Sequence, residues 1–294
     1  MSPFADALLD WSNAGGGWRE LPWRHTRDPW AVLVSEVMLQ QTQVSRVVPR
    51  WHEFLARFAD PPACAAASVG EVIGLWVGLG YNRRAVQLHE AAVTMVSEYG
   101  GRVPDTLAQL RALPGIGPYT ARAVLAFAFE QPVAVVDTNV ARVLARAVAG
   151  RPLARAEAQA AADALVPPHL AADQSGPWRW NQAMLDLGAR HCTSVPVCHG
   201  CPIRLGCAWA RAGHPRPDPA SGSAGVSVRQ SRFVGSDRQG RGQLVKALQA
   251  GPIRVNRWAE AAGWPGQTAR AAHAVSTLVA DGLAVRVGDE LRLP

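Results

Sequence analysis

Apolar positions recur at three- and four-residue spacing along most of the first 190 residues. They predict helices over about 3–12, 28–41, 47–58, 69–75, 83–98, 106–110, 119–129, 138–149, 154–165 and 179–188. Asp28-Pro29 supplies an N-cap and an N1 proline to the second of these. No strand-like alternation interrupts the series, so the fold class is all-α. Between 213 and 231 the chain reads GHPRPDPASGSAGVSVRQS, which predicts a linker. Beyond it, the pattern predicts short helices over 242–249, 255–262 and 268–280. A hairpin over 283–287 and 291–293, turning at Gly288-Asp289, follows. Three helices closed by a hairpin suit a small winged-helix-like domain over 232–294, with either DNA contact or plain packing as its role.

Composition narrows the partner. The 294 residues carry a net charge of +7, which favours a polyanion such as nucleic acid. No apolar run is long enough for a membrane span, and the start MSPFADALLDW has no basic segment before an apolar one. The expectation is a cytoplasmic protein without membrane contact. All the basic side chains but Lys246 are arginine. A catalytic lysine Schiff base is thereby excluded from the main domain.

Four of the five cysteines, Cys192, Cys198, Cys201 and Cys207, fall within sixteen residues among prolines and glycines. Four thiolates so close need a cation to offset their repulsion. One CxxC with a single outlying cysteine on each side suits a 4Fe-4S cubane. Zinc, which usually takes two separated CxxC pairs, is the alternative. Disulfides do not suit a reducing compartment. Cys64, in PPACAAA, reads as a small buried hydrophobe.

Three further sites could carry chemistry. Leu113-Pro-Gly-Ile-Gly-Pro-Tyr-Thr-Ala121 sets Gly115 and Gly117 between two predicted helices. Glycine lets amide groups approach an anion, and the helix start behind it favours a phosphate, so the stretch reads as a helix-hairpin-helix or, more simply, as an inter-helix turn. Glu36 lies among apolar residues in AVLVSEVMLQQ. Facing inward it would be a proton donor; facing outward it would be an ordinary exposed carboxylate. Asp137 ends QPVAVVD and begins a helix, where it can cap and stay ionised beside the helix dipole. One protonated and one ionised carboxyl are the pair that breaks a glycosidic bond.

The blocks SEVMLQQTQV, LWVGLGYNRRAVQLHEAA, LPGIGPYTARAV, VVDTNVARVLAR and NQAMLDLGARHC, followed by the four cysteines, resemble the MutY adenine glycosylases of the helix-hairpin-helix superfamily that includes endonuclease III. The resemblance runs from about Leu21 to Ala210 and implies a two-lobed core over 1–212. A six-helix lobe would span about 24–130, and a cluster lobe would combine 1–23 with 131–212. It implies base excision repair of adenine mispaired with guanine or 8-oxoguanine in double-stranded DNA, by a nucleoid-associated monomer. Glu36 would protonate adenine at N7, and Asp137 would stabilise or capture the sugar cation, with Tyr119 and Asn139 beside it. Leu39, Gln41, Thr42 and Tyr81 would meet the duplex next to the orphaned guanine, while Trp23, Arg24 and Gln182 would line the adenine pocket. Tyr119 stands where endonuclease III-like enzymes carry their Schiff-base lysine. The chain departs from the family in a first cysteine gap shorter by one residue, in Thr138 where glycine is common, and in a C-terminal segment too short for a Nudix-like domain. A mismatch thymine or uracil glycosylase, or a non-enzymatic cluster-bearing DNA-binding regulator, is the alternative.

Overall fold

The computed structural model describes residues 3–173, 175–223, 226 and 232–294. The chain forms two compact units, each built from two separate stretches: Met1–Pro29 with Gly117–Arg229, and Trp30–Ile116 with Gln230–Pro294.

In the first unit, α1 (Pro3–Asn13), α8 (Pro118–Phe127) and α9 (Thr138–Val143) pack around α11 (Gly176–Arg190). Helix α11 is buried from Gly176 to Gly188 apart from Arg179, with the polar Asn181, Gln182 and Asp186 among the buried residues. Gly188 is where α9 crosses it closely. A Cβ there would sit 2.7 Å from the backbone carbon and oxygen of Asn139, so any larger residue would push α9 away. The helix predicted over 138–149 keeps α-helical bonding only to Val143 and continues as one π-helical turn, Leu144–Ala149. Helix α10 (Arg155–Leu165) and the single turn α12 (Ala208–Arg211) complete the unit.

The predicted linker needs correcting over its first part. Residues Pro219–Gly222 form a 3-10 turn, and Asp218 accepts two hydrogen bonds from the buried Arg146, at 2.8 and 2.6 Å. The Ser223 hydroxyl accepts from the Leu153 amide at 3.1 Å. Proline- and glycine-rich composition indicated coil but could not reveal these long-range anchors. The rest of the predicted linker, 224, 225 and 227–231, lies outside the described residues.

The second unit holds α2 (Pro29–Leu39), whose N1 proline opens it from the first stretch, then α3 (Val44–Arg57), α4 (Pro61–Ala65), α5 (Val69–Trp76), α6 (Arg83–Tyr99) and α7 (Leu107–Ala112). Its core is aromatic. Phe54 meets Trp30, Phe58 and Trp76 with ring centroids 6.5, 5.0 and 6.1 Å away, close enough for edge contacts worth more than their area alone. Ser68 and Glu71 form a reciprocal capping box at the start of α5.

Residues 232–294 form α13 (Asp237–Leu248), α14 (Trp258–Ala261), α15 (Thr268–Ala280) and a three-stranded antiparallel sheet. Its order is β1 (Ile253–Arg254), β3 (Glu290–Arg292), β2 (Val285–Val287), with Ile253 opposite Leu291 and Arg286 opposite Leu291 on the other side. The hairpin was legible; β1, two residues long, is too short to show an alternation. This segment packs within the second unit: the Gly70 amide donates to the Pro294 carbonyl at 3.1 Å, and Arg83 faces Asp281 at 3.4 Å. Helix α8, expected within the 24–130 lobe, groups with the first unit instead.

Candidate active site

Within the first unit, the extended stretch before Asp137 is pinned by a buried amide. The Asn181 side chain accepts from the Val135 amide at 2.8 Å and donates to the Val133 carbonyl at 2.9 Å. The chain then turns into α9 with Asp137 as N-cap, its carboxylate accepting from the Val140 amide at 2.7 Å and from the Asn139 side chain at 2.7 Å. Capping alone would hold this acid low. Burial outweighs the two hydrogen bonds and the nearby Arg142 charge, so the carboxyl pKa is raised above its ordinary 3.8. Asp137 is half-buried, and a partly desolvated carboxylate held by two donors suits a developing cation.

The same network reaches further. Arg142 donates to Asn139 Oδ1 at 2.6 Å, to the Gly188 carbonyl at 3.2 Å and to the Cys192 carbonyl at 2.7 Å. One turn on, Arg146 donates to Cys192 Sγ at 3.4 Å and to the Thr193 carbonyl at 2.7 Å. Tyr119 is half-buried in the first turn of α8, after the N-cap Gly117. Trp23 and Gln182 are both buried in this unit. Arg24 is buried too, and its guanidinium is engaged by Asp186 at 2.9 and 2.8 Å, with Arg19 adding a third bond to the same carboxylate at 2.5 Å. Arg24 thus fastens the segment after α1 to α11.

The second unit holds the other expected residues. Glu36 is buried on α2, in a run from Trp30 to Met38 that is buried throughout, so the alternative of an exposed carboxylate does not apply. Leu39 ends that helix half-buried. Gln41 and Tyr81 both hold the left-handed backbone, with φ of 55° and 48°, a conformation that non-glycine residues seldom adopt. Both turns are held by Arg84, which is 6% exposed. Its guanidinium donates to the carbonyls of Val37, Met38 and Gln40 at 2.7, 2.9 and 2.7 Å. It also donates to the Gly80 carbonyl at 2.8 Å and the Thr42 hydroxyl at 3.0 Å. Burial brings its pKa down to about 10, so it stays charged at neutral pH and binds the open carbonyls ending α2.

Gly115 has φ of 74° and is exposed; a side chain there would also strike Gln87 Cβ at 2.7 Å. Both properties are what a tight turn with accessible backbone requires.

Of the four clustered cysteines, Cys207 is buried and the other three half-buried. Burial pushes up the thiols of Cys192, Cys198 and Cys201, the last to about 11, and the neighbouring sulfurs add to the rise in each. Among the described residues no group of three or more His, Cys, Asp or Glu side chains is already arranged around a metal position. The donor chemistry nonetheless fits one: four mutually repelling thiols on one short segment are stabilised as thiolates by a shared cation. Cys64 stands apart, buried, with its thiol pushed up to about 12.

Sequence reasoning missed Arg84, Asn181 and Asp186. The signal for Arg84 was a charge on a core stripe, since Arg84, Leu88, Ala91 and Met95 share the buried face of α6. Asn181 and Asp186 are likewise polar residues inside an apolar helix.

Helical units carrying a glycine hairpin, a desolvated carboxylate at a helix start and a four-cysteine loop define a class of DNA repair protein. Residues 34–168 match the family model described as HhH-GPD superfamily base excision DNA repair protein. The chain is 42% identical over 273 residues to the adenine DNA glycosylase of Mycobacterium tuberculosis, spanning 92% of this chain and 87% of that protein. It is 36% identical over 211 residues to the thymine-DNA glycosylase of Aeropyrum pernix, spanning 69% and 92%. Among solved structures, a thermostable thymine-DNA glycosylase superposes with a TM-score of 0.63 at 28% identity, covering 71% of this chain and 95% of that one. The chain belongs to the adenine DNA glycosylases. Its function is base excision repair of adenine. No helix among the described residues is long and apolar enough to cross a membrane.

Proposed function

We propose that the chain is a monofunctional glycosylase that removes adenine paired with guanine or 8-oxoguanine from double-stranded DNA, acting as a monomer in the nucleoid. The observation that carries this reading is the capped, desolvated Asp137, held by the Val140 amide and Asn139. Glu36, buried on α2, gives a proton to adenine N7. The C1′–N9 bond breaks with its electron pair leaving on the base, and Asp137 stabilises or captures the sugar cation. Water then bonds to C1′, the C1′–O bond to Asp137 breaking back to the carboxylate where it has formed, and the water proton passes to solvent, leaving an abasic site. Tyr119 and Asn139 surround the sugar, Trp23 and Gln182 shape the base pocket, and Arg24 holds its wall through Asp186. Leu39, Gln41, Thr42 and Tyr81 fill the gap left by the flipped base. Gly115 and Gly117 bring backbone amides to a phosphate.

The absence of lyase chemistry is supported by the single lysine. Lys246 lies on α13, and Tyr119 stands at the position that the resemblance gives to a Schiff-base lysine. Cys192, Cys198, Cys201 and Cys207 would hold a 4Fe-4S cluster, which supplies folding free energy to its loop when bound. Residues 232–294 are a winged-helix-like module.

The test is single turnover on duplexes with adenine opposite 8-oxoguanine, guanine or thymine, quenched with and without hot alkali. Breaks that need alkali and arise only opposite guanine-type bases are expected; breaks without alkali would overturn the monofunctional reading. The likeness to the Aeropyrum pernix enzyme favours one second reading, release of thymine from a mismatch. A G:T duplex in the same panel separates the two.

A further inference from the structure

The phenol of Tyr81 is held by the C-terminal module. Arg238, in the first turn of α13, donates from Nη1 to Tyr81 Oη at 3.2 Å. The Arg238 guanidinium also lies 6.0 Å from the ring centroid of Phe233, at the edge of cation–π reach. From α6, the Arg84 guanidinium lies 5.6 Å from the Tyr81 ring and donates to the Tyr81 carbonyl at 3.3 Å. Tyr81 is therefore gripped at its ring and backbone by one arginine and at its hydroxyl by another.

The surface around this contact is open. Tyr81 is 39% exposed, Phe233 57% and Val234 65%. Exposed aromatics interleaved with arginines suit a polyanion that also offers flat faces, which is the chemistry of a nucleic-acid strand. Helix α13 is fixed where it sits: Arg241 bonds Asp281 and Thr277 of the adjoining α15 and its end, and Asp281 also faces Arg83 of α6.

We propose that residues 232–294 complete the DNA-reading edge of the second unit, with Arg238 positioning the Tyr81 phenol and Arg238 and Phe233 contacting the strand that carries the guanine-type base. This rests on the reading of Tyr81 as a residue that meets the duplex. It assigns the module a part in recognising the mispair, distinct from a general increase in affinity for DNA.

The test uses the full chain and binding to duplexes with adenine opposite 8-oxoguanine or guanine, against the fully matched duplex. Arg238→Ala should weaken mispair binding about five- to tenfold and matched binding about twofold at most. Arg238→Lys keeps the charge and one donor for the Tyr81 hydroxyl, so it should recover most of the mispair binding that Arg238→Ala loses. Tyr81→Phe should lose about as much as Arg238→Ala, and the double variant little more than either, as coupled residues do. Equal losses on both duplexes, or none, from Arg238→Ala would overturn the proposal. If Tyr81→Ala also leaves mispair binding intact, the placement of Tyr81 at the duplex falls with it. A loss from Tyr81→Ala beside a harmless Arg238→Ala leaves that placement standing and removes the proposal alone.

Discussion

The Arg84 guanidinium donates to the Thr42 hydroxyl at 3.0 Å, and Thr42 donates in turn to the Leu79 carbonyl at 3.1 Å. The turn after α2 and the turn before α6 are therefore one hydrogen-bonded assembly with a buried cation at its centre. Two non-glycine residues keep left-handed backbones in it, which persists only where surroundings over-determine it.

Replacing Arg84 tests that assembly. Arg84→Met leaves the carbonyls of the buried Val37 and Met38 and the half-buried Gln40 without their arginine donor, and should cost about 3 kcal/mol of stability in a denaturant titration. Arg84→Lys reaches fewer acceptors and should recover only part of it. A loss below about 0.5 kcal/mol in Arg84→Met would show that the turns hold themselves.

The two carboxyls predict different separations of stability from rate. Asp137→Asn keeps an oxygen that can cap α9, so stability should change by less than about 1 kcal/mol while adenine release falls at least ~100-fold. Glu36→Gln should lose release to a similar degree and still bind the duplex. Because burial raises the Asp137 pKa, the folded protein keeps a proton there at pH values where the unfolded chain has lost it. Stability from this group is thus highest in acid and declines as pH rises through the folded pKa. Activity, needing the anion, should fall in acid at a pH above the ordinary aspartate range. Asn139→Ala removes a donor that favours the anion and should move this acid limb further up. An unmoved limb in the pH–rate profile would detach Asp137 from it.

Asp186 receives three hydrogen bonds from Arg24 and Arg19. Asp186→Ala strands a buried guanidinium and should cost about 3–5 kcal/mol, whereas a double change that also makes Arg24 a methionine should cost clearly less. Thermal or denaturant unfolding of the two variants decides it. Equal costs would mean that packing, not the uncompensated charge, dominates.

The cysteine loop predicts a chemical analysis. Purified protein should contain about four iron and four acid-labile sulfide per chain with visible charge-transfer absorption, and Cys198→Ser should reduce both. One equivalent of zinc without sulfide would replace the cluster by the alternative ion.

The helical class was legible in the sequence because a 3.6-residue period is local, and so were the glycine turn and the cysteine spacing. What stayed hidden depended on pairs distant along the chain. Nothing near Arg24 signals Asp186, 162 residues away, and nothing near Arg146 signals Asp218, 72 residues away. The segment 213–223 looked like linker because its own composition is loose, while its anchors are Arg146 in the π-helical turn and Leu153 just before α10. Asp137 was legible as a helix cap but not as a desolvated acid, since burial is a property of what folds over it. Glu36 was open in the sequence, where its helix suited either an inward or an exposed carboxylate, and only the packing around α2 decides for burial.

The alternation of the two units along the chain sets an order of assembly during synthesis. Residues 30–116 emerge from the ribosome well before residues 230–294, and the intervening 117–229 belong to the other unit. Tyr81 is therefore translated some 150 residues ahead of Arg238, the side chain that holds its phenol. The first unit can close while the second still lacks its last module. A nascent chain halted between those points would carry an intact Asp137 cap and four cysteines, yet an unfinished edge around Tyr81.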